Sequence, residues 1–163
     1  IDRAALEALA VHAKKNKNKI FSSICAFITD TTNIKIALRC SITNKTSDFV
    51  SSAISTCSKI DCEKLIELST DNKEVLYDYL LRTDYSEGVE LYSKSPTLYD
   101  KWCDDSVIEI VKDAKYTSFG FGPVCAYYYS KLNEIKTVRI VLYSKLSGVE
   151  SDVIRERVRV LYV

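Results

Sequence analysis

Charge placed inside apolar stripes is the most distinctive chemistry this sequence offers. Between residues 123 and 146, Cys125, Tyr128, Leu132, Ile135, Arg139, Leu142 and Leu146 recur at spacings of three and four, which sets all seven on one helix face. Arg139 is the charged member. In the final segment Val153, Ile154, Val158, Val160 and Leu161 form an apolar face that includes Arg157, whereas Arg155 and Arg159 point away from it. A guanidinium taken out of water must be met by a carboxylate and further hydrogen bonds. Asp30 and Glu134 are the natural partners, so an internal ion-pair lattice of Asp30, Glu134, Arg139 and Arg157 is expected to fix helix register. Contact of these bases with a partner is the alternative. Arg155 and Arg159, exposed on the last helix, are candidate partner-binding residues together with Lys35 and Arg39.

The common catalytic and binding signatures are missing. His12 is the single histidine, and no Ser or Cys is shown to adjoin it. Asp104 and Asp105 point about 100° apart on a helix and read as a solvated face. Gly120 and Gly122 precede a helix without the Lys or the strand of a phosphate loop. Cys57 and Cys62 have no accompanying histidine, and zinc wants about four sulfur or nitrogen ligands. The six cysteines contain no CxxC, so buried free thiols are expected rather than disulfides. Lys14, Lys15, Lys17 and Lys19 form a short basic cluster without interleaved aromatics, a solvated loop rather than a nucleic-acid site. The reading is therefore no catalytic residue, no metal, no cofactor and no nucleic acid.

The elements that position these residues are all helical. Asp2 begins an amphipathic helix running to Lys15, and a second helix extends to about Thr43. A short helix capped by Ser47 follows, then three brief helices from Asp61, a helix after Pro96, the long helix of residues 123–146, and a last helix capped by Ser151 that runs to the chain end. The long helix, apolar on several sides near Arg139, is expected inside a bundle. A shift of 104 residues aligns Phe21, Ile24, Ile28, Thr31, Lys35, Leu38 and Ile42 with its seven stripe positions without a gap. Lys35 then stands at Arg139, Asp30 at Glu134, and Ser47-Asp48 at Ser151-Asp152. The expected fold class is all-α, with tandem three-helix-bundle-like units, residues 1–94 and 95–163, related by this repeat.

With 163 residues and 47% hydrophobic content, the chain can bury a core without staples. It lacks an 18-residue apolar run and a signal-peptide pattern, and its start at Ile1 inside a helix reads as a piece of a longer protein. Residues 60–93 hold nine acids against three bases, leaving the rest of the chain at +7. Segregation of this kind suits docking to partners of both signs, and equally suits solvated helix faces.

Residues 30–39 (DTTNIKIALR), 119–123 (FGFGP), 133–148 (NEIKTVRIVLYSKLSG) and the ending VIRERVRVLYV together resemble the C subunit of the A-type and V-type rotary ATPases, known as the d subunit in vacuolar enzymes. The opening IDRAALEAL is similar too, although Thr137 stands where the family often has Asn. This resemblance implies an all-helical, funnel-shaped protein of three similar units, of which the chain carries about the last half. It also implies a non-catalytic role at the cytoplasmic side of the membrane, peripheral to it, in ion (hydrogen ion) transport. There the family couples the central stalk of the rotary motor to the membrane proteolipid ring. A free-standing helical scaffold or adaptor is the rival reading, and an enzyme built around His12 a more distant third.

Overall fold

The computed structural model describes residues 2–16, 18–116 and 119–162; Lys17, and Thr117 and Ser118 of the loop before the long C-terminal helix, lie outside them. The described elements are α1 (Asp2–Lys15), α2 (Lys19–Ile42), α3 (Ser47–Ala53), α4 (Cys62–Asp71), α5 (Lys73–Leu80), α6 (Ser86–Lys94), α7 (Pro96–Lys112), a 3₁₀ turn (Asp113–Tyr116), α8 (Phe121–Leu146) and α9 (Ser151–Arg157). No strand occurs among the described residues, so the all-α class stands. The chain divides into two compact units, Ile1–Glu90 and Leu91–Val163. The division falls within α6, a few residues before the boundary read from the sequence.

In the first unit α2 is the element around which the rest is built, touching α1, α3, α4 and α5. Asn18 caps it by accepting the Phe21 N–H at 3.1 Å. Ile24, Ile34, Ala37 and Leu38 are fully buried against Leu6 of α1, Val50 of α3, Leu65 of α4, and Leu76 and Leu80 of α5. Burial of such Leu and Ile side chains contributes about 1.5–3 kcal/mol each, which makes α2 the main source of the unit's stability. Local polar residues fix the ends of the shorter helices. Asp61 accepts the Glu63 and Lys64 N–H groups at the start of α4, and Asn72 accepts that of Glu74 at the start of α5. α3 is capped by Thr46, not Ser47, because the Thr46 hydroxyl is the one placed to accept the Phe49 N–H.

In the second unit α7, α8 and α9 touch one another pairwise. Tyr99, Ile108 and Val111 of α7, Cys125 and Ala126 of α8, and Ile154 of α9 fill the core. α8 starts two residues before Pro123, after Gly120, whose φ of +103° is one that side-chain-bearing residues rarely adopt. Gly148 closes it at φ +69°, with Val149 N–H donating to the Ser144 carbonyl at 3.0 Å. Ser151 is the first helical residue of α9, and Glu150 precedes it without a side-chain cap.

The expected interior position of α8 is corrected by the structure. Its buried residues are mostly small: Gly122, Cys125, Ala126, Ser130, Asn133 and Ser144. The small side lets the backbone approach α7 and α9, so the large apolar residues Val124, Tyr128, Ile135, Val138, Leu142 and Leu146 are turned outward. Helix boundaries do recur, since α3 and α9 both lie 104 residues apart at each end, and α2 and α8 end 104 residues apart. Environments do not recur. Leu38 is 0% exposed and its counterpart Leu142 57%, so the two long helices do not share equivalent packing.

Candidate functional site

Two polar clusters, one in each unit, hold the buried charged residues Asp30 and Arg159. In the first, Asp30 on α2 is fully buried and holds the turn between α3 and α4. Its carboxylate accepts the Ser58 N–H at 2.7 Å, the Lys59 N–H at 2.8 Å and the Tyr85 hydroxyl at 2.8 Å. Asn33, one helical turn on, accepts the Ser55 N–H at 3.1 Å and donates to the Ser55 carbonyl at 3.1 Å. Together these bonds give a turn with no helix of its own a fixed path across α2. Burial first, and then the hydrogen bond to Asp30 and its negative charge, push the Tyr85 hydroxyl pKa far above its ordinary value. Tyr85 therefore acts as a neutral donor to Asp30 across the whole working pH range.

Asp30 thus serves an anion-binding turn rather than the expected ion pair with a neighbouring base. Two backbone N–H groups and a phenol satisfy a buried carboxylate without desolvating a second charge. Cys57 of the same turn and Cys62, the first residue of α4, are joined in a disulfide with their Cα atoms 5.7 Å apart, which corrects the expectation of six free thiols. Periodicity could not reveal this, because the turn places the pair and the turn is set by contacts to α2. Cys25, Cys40 and Cys125 are buried and lie outside the disulfide, as does the half-buried Cys103. Burial raises the thiol pKa values of Cys40 and Cys125.

The second cluster pins the chain after α9. Arg159 is 8% exposed and its Nε lies 2.9 Å from Asp104 Oδ2 on α7, while its Nη1 donates to the Arg157 carbonyl at 2.7 Å. Asp105 accepts the Val160 N–H at 2.8 Å, and Asn133 of α8 donates to the Val160 carbonyl at 2.9 Å. Lys136 of α8 also reaches Asp104. Burial pushes the Asp105 carboxyl pKa up, against lowering by the Val160 N–H, Lys101 and Arg159. These contacts explain why α9 stops at Arg157 instead of running to the end. Val158 turns extended, at φ −64° and ψ 139°, so that Arg159 and Val160 can meet the two aspartates.

The sequence-derived site residues are redistributed accordingly. Arg159, expected on the surface, is buried in an ion pair; Arg157, expected inside, is exposed because the helix ends there. Arg139 is exposed, with no carboxylate partner among the described residues. Glu134 pairs locally with Lys131 at 2.7 Å instead of with a base on another helix. Arg155 and Arg39 are exposed as expected, Arg155 in a surface pair with Asp152 at 3.0 Å, and Lys35 is half-buried. Asp30 is satisfied within the first unit, and in the second unit Glu134, Arg139 and Arg157 form no ion pair with one another among the described residues. The residues that sequence reasoning missed are Asp104, Asp105, Asn33 and Asn133. Adjacent carboxylates at Asp104-Asp105 were the available signal, but only the returning tail gives them a use.

No group of three or more His, Cys, Asp or Glu side chains able to hold a metal occurs among the described residues. No described helix is long and apolar enough to cross a membrane. Both polar clusters tie backbone segments to helices, so fold and site define an all-helical structural module. The family model for the ATP synthase (C/AC39) subunit matches residues 1–157, and the chain belongs to that family of rotary-ATPase subunits. It is 26% identical over 148 residues to the V-type sodium ATPase C subunit of Enterococcus hirae, an alignment covering 88% of this chain and 45% of the relative. The chain thus spans about half the length of the curated relative it matches. No solved structure matches the chain.

Proposed function

We propose that this chain is part of a non-catalytic coupling subunit of a rotary A/V-type ATPase, linking the central stalk to the membrane proteolipid ring during ion transport. The observation that carries the reading is the family match across residues 1–157. Its partners are then stalk and ring subunits, and it sits peripherally on the cytoplasmic side of the membrane. Torque transfer calls for a body whose parts keep their register. The Asp30–Asn33 and Asp104–Asp105 clusters support that requirement, since they fix a turn and the returning tail to long helices.

The outward apolar row of α8, Val124, Tyr128, Ile135, Val138 and Leu142, is the surface proposed to meet the central stalk. Its spacings of four, seven, three and four keep these side chains near one face, which suits a helix lying alongside. Arg139 and Lys145 flank that row, so the stalk surface it fits is apolar with acidic borders. Arg155, Arg39 and Lys35 remain candidate contacts with the rotor partners.

Co-purification of the full-length protein with stalk and ring subunits tests the reading. Capture of both, reduced about tenfold or more by Val138→Asp with Leu142→Asp at unchanged melting temperature, is the expected result. Full-length protein that captures neither would overturn it.

A further inference from the structure

The Cys57–Cys62 disulfide lies beside a cleft of about 110 Å³ between α1, α2 and the α3–α4 turn. Ala10, Ala13 and Lys14 of α1 and Cys25 and Thr29 of α2 line it, and Cys57 forms part of its wall whereas Cys62 does not. Thr29 is 2% exposed, and its hydroxyl has no hydrogen-bond partner among the described residues. Lys14 is exposed at the rim. The cleft therefore reaches one cysteine of the pair and not the other, with a buried hydroxyl without a partner among the described residues in its lining and an exposed lysine beside it.

We propose that this cleft admits a small anionic thiol, which attacks Cys57 and reduces the disulfide through a mixed disulfide at that residue. The incoming thiolate sulfur forms a bond to Cys57 Sγ. The Cys57–Cys62 bond breaks, and its electron pair leaves on Cys62 Sγ. The Cys57 backbone N–H, 3.0 Å from Cys62 Sγ, stabilises the departing thiolate. A second thiolate then attacks the sulfur of the first. That step forms the small-molecule disulfide and returns the electron pair to Cys57 Sγ, 3.3 Å from the donating Asn33 Nδ2. Two small thiols are oxidised, the protein disulfide gains two electrons, and the protons shed by the two thiols end on Cys57 and Cys62. Asp30 and Asn33 hold the turn through Ser55, Ser58 and Lys59, so it keeps its path while the bond is open.

The choice of an anionic thiol rests on Lys14. Attraction at the rim favours a carboxylate-bearing thiol over a neutral one of similar reactivity. A test on the full chain uses glutathione as the anionic probe and 2-mercaptoethanol as the neutral one. Brief exposure to glutathione, quenching with iodoacetamide and peptide mapping should give glutathione on Cys57 and the alkyl group on Cys62. The opposite distribution, an even one, or a chain with both thiols free at the outset would overturn the proposal. Lys14→Glu should slow glutathione about two- to five-fold and leave 2-mercaptoethanol unchanged. Ala10→Leu, which narrows the cleft, should slow both. If neither substitution alters either rate while both variants keep the wild-type melting temperature, the thiol does not enter by this cleft.

Discussion

Arg159 Nε stands 2.9 Å from Asp104 Oδ2, and this part-buried ion pair joins the tail after α9 to α7 in the second unit. The guanidinium also donates to the Arg157 carbonyl, so its charge is matched by a carboxylate and its remaining N–H capacity is partly used.

Arg159→Ala should lower unfolding free energy by about 2–4 kcal/mol, because it removes a buried side chain with its bonds to Asp104 and the Arg157 carbonyl and frees the tail, while Lys136 still reaches Asp104. Arg139→Ala and Arg157→Ala, on exposed positions, should each stay within about 0.5 kcal/mol of wild type. Urea unfolding of the three variants separates the buried arginine from the exposed ones, and equal losses in all three would contradict the assignment.

Asp30→Ala should cost about 3–5 kcal/mol, since it leaves two backbone N–H groups and a phenol without an acceptor. Tyr85→Phe removes one of those three bonds and should cost about 1.5–3 kcal/mol, the range for a hydrogen bond to a charged group. Thermal melts followed by circular dichroism read both. The order of the two effects is the expectation at stake.

Leu38→Ala and Leu142→Ala occupy the same place in the sequence repeat but should differ sharply. The first empties a fully buried site and should cost about 2–5 kcal/mol; the second trims an exposed side chain and should cost about 0.5 kcal/mol or less. Similar losses in the two variants would show that α2 and α8 are packed alike after all.

Burial holds the Asp105 pKa above the ordinary value for an aspartate, so the folded chain binds this proton more tightly than the unfolded chain does. The stability contributed by the group is then fully present below the unfolded pKa and is lost as pH rises through the raised folded value. Asp105→Asn keeps an oxygen that can accept the Val160 N–H and removes the buried charge. Its melting temperature relative to wild type should therefore increase as pH goes from about 3 to 7. A wild-type-minus-variant difference that is flat with pH would mean that Asp105 ionises in the fold as easily as in water.

Helical class, the ends of most helices and the apolar faces of α1 and α2 were legible in the sequence. They depend on contacts a few residues long: Asn18 and Asp61 capping the turn ahead of them, Gly148 ending α8, and side chains spaced at three and four. The family resemblance was legible for a related reason, since it lies in short ordered blocks spread along the chain. Which face of α8 would be buried was not legible. Its large apolar residues argued for the interior, but the neighbours available to it, α7 and α9, pack on the side of Gly122, Ala126, Ser130 and Asn133.

Pairing of the buried charges was decided by tertiary structure. Arg157 and Arg159 are two residues apart, and where the helix stops determines which is buried; it stops at Arg157 because Asp104 and Asp105, more than fifty residues earlier, take hold of Arg159 and Val160. Asp30 shows the same dependence. Its charge and helical position could be read from the chain, but its use could not, because the backbone N–H groups of Ser58 and Lys59 reach it only when the intervening turn folds back across α2.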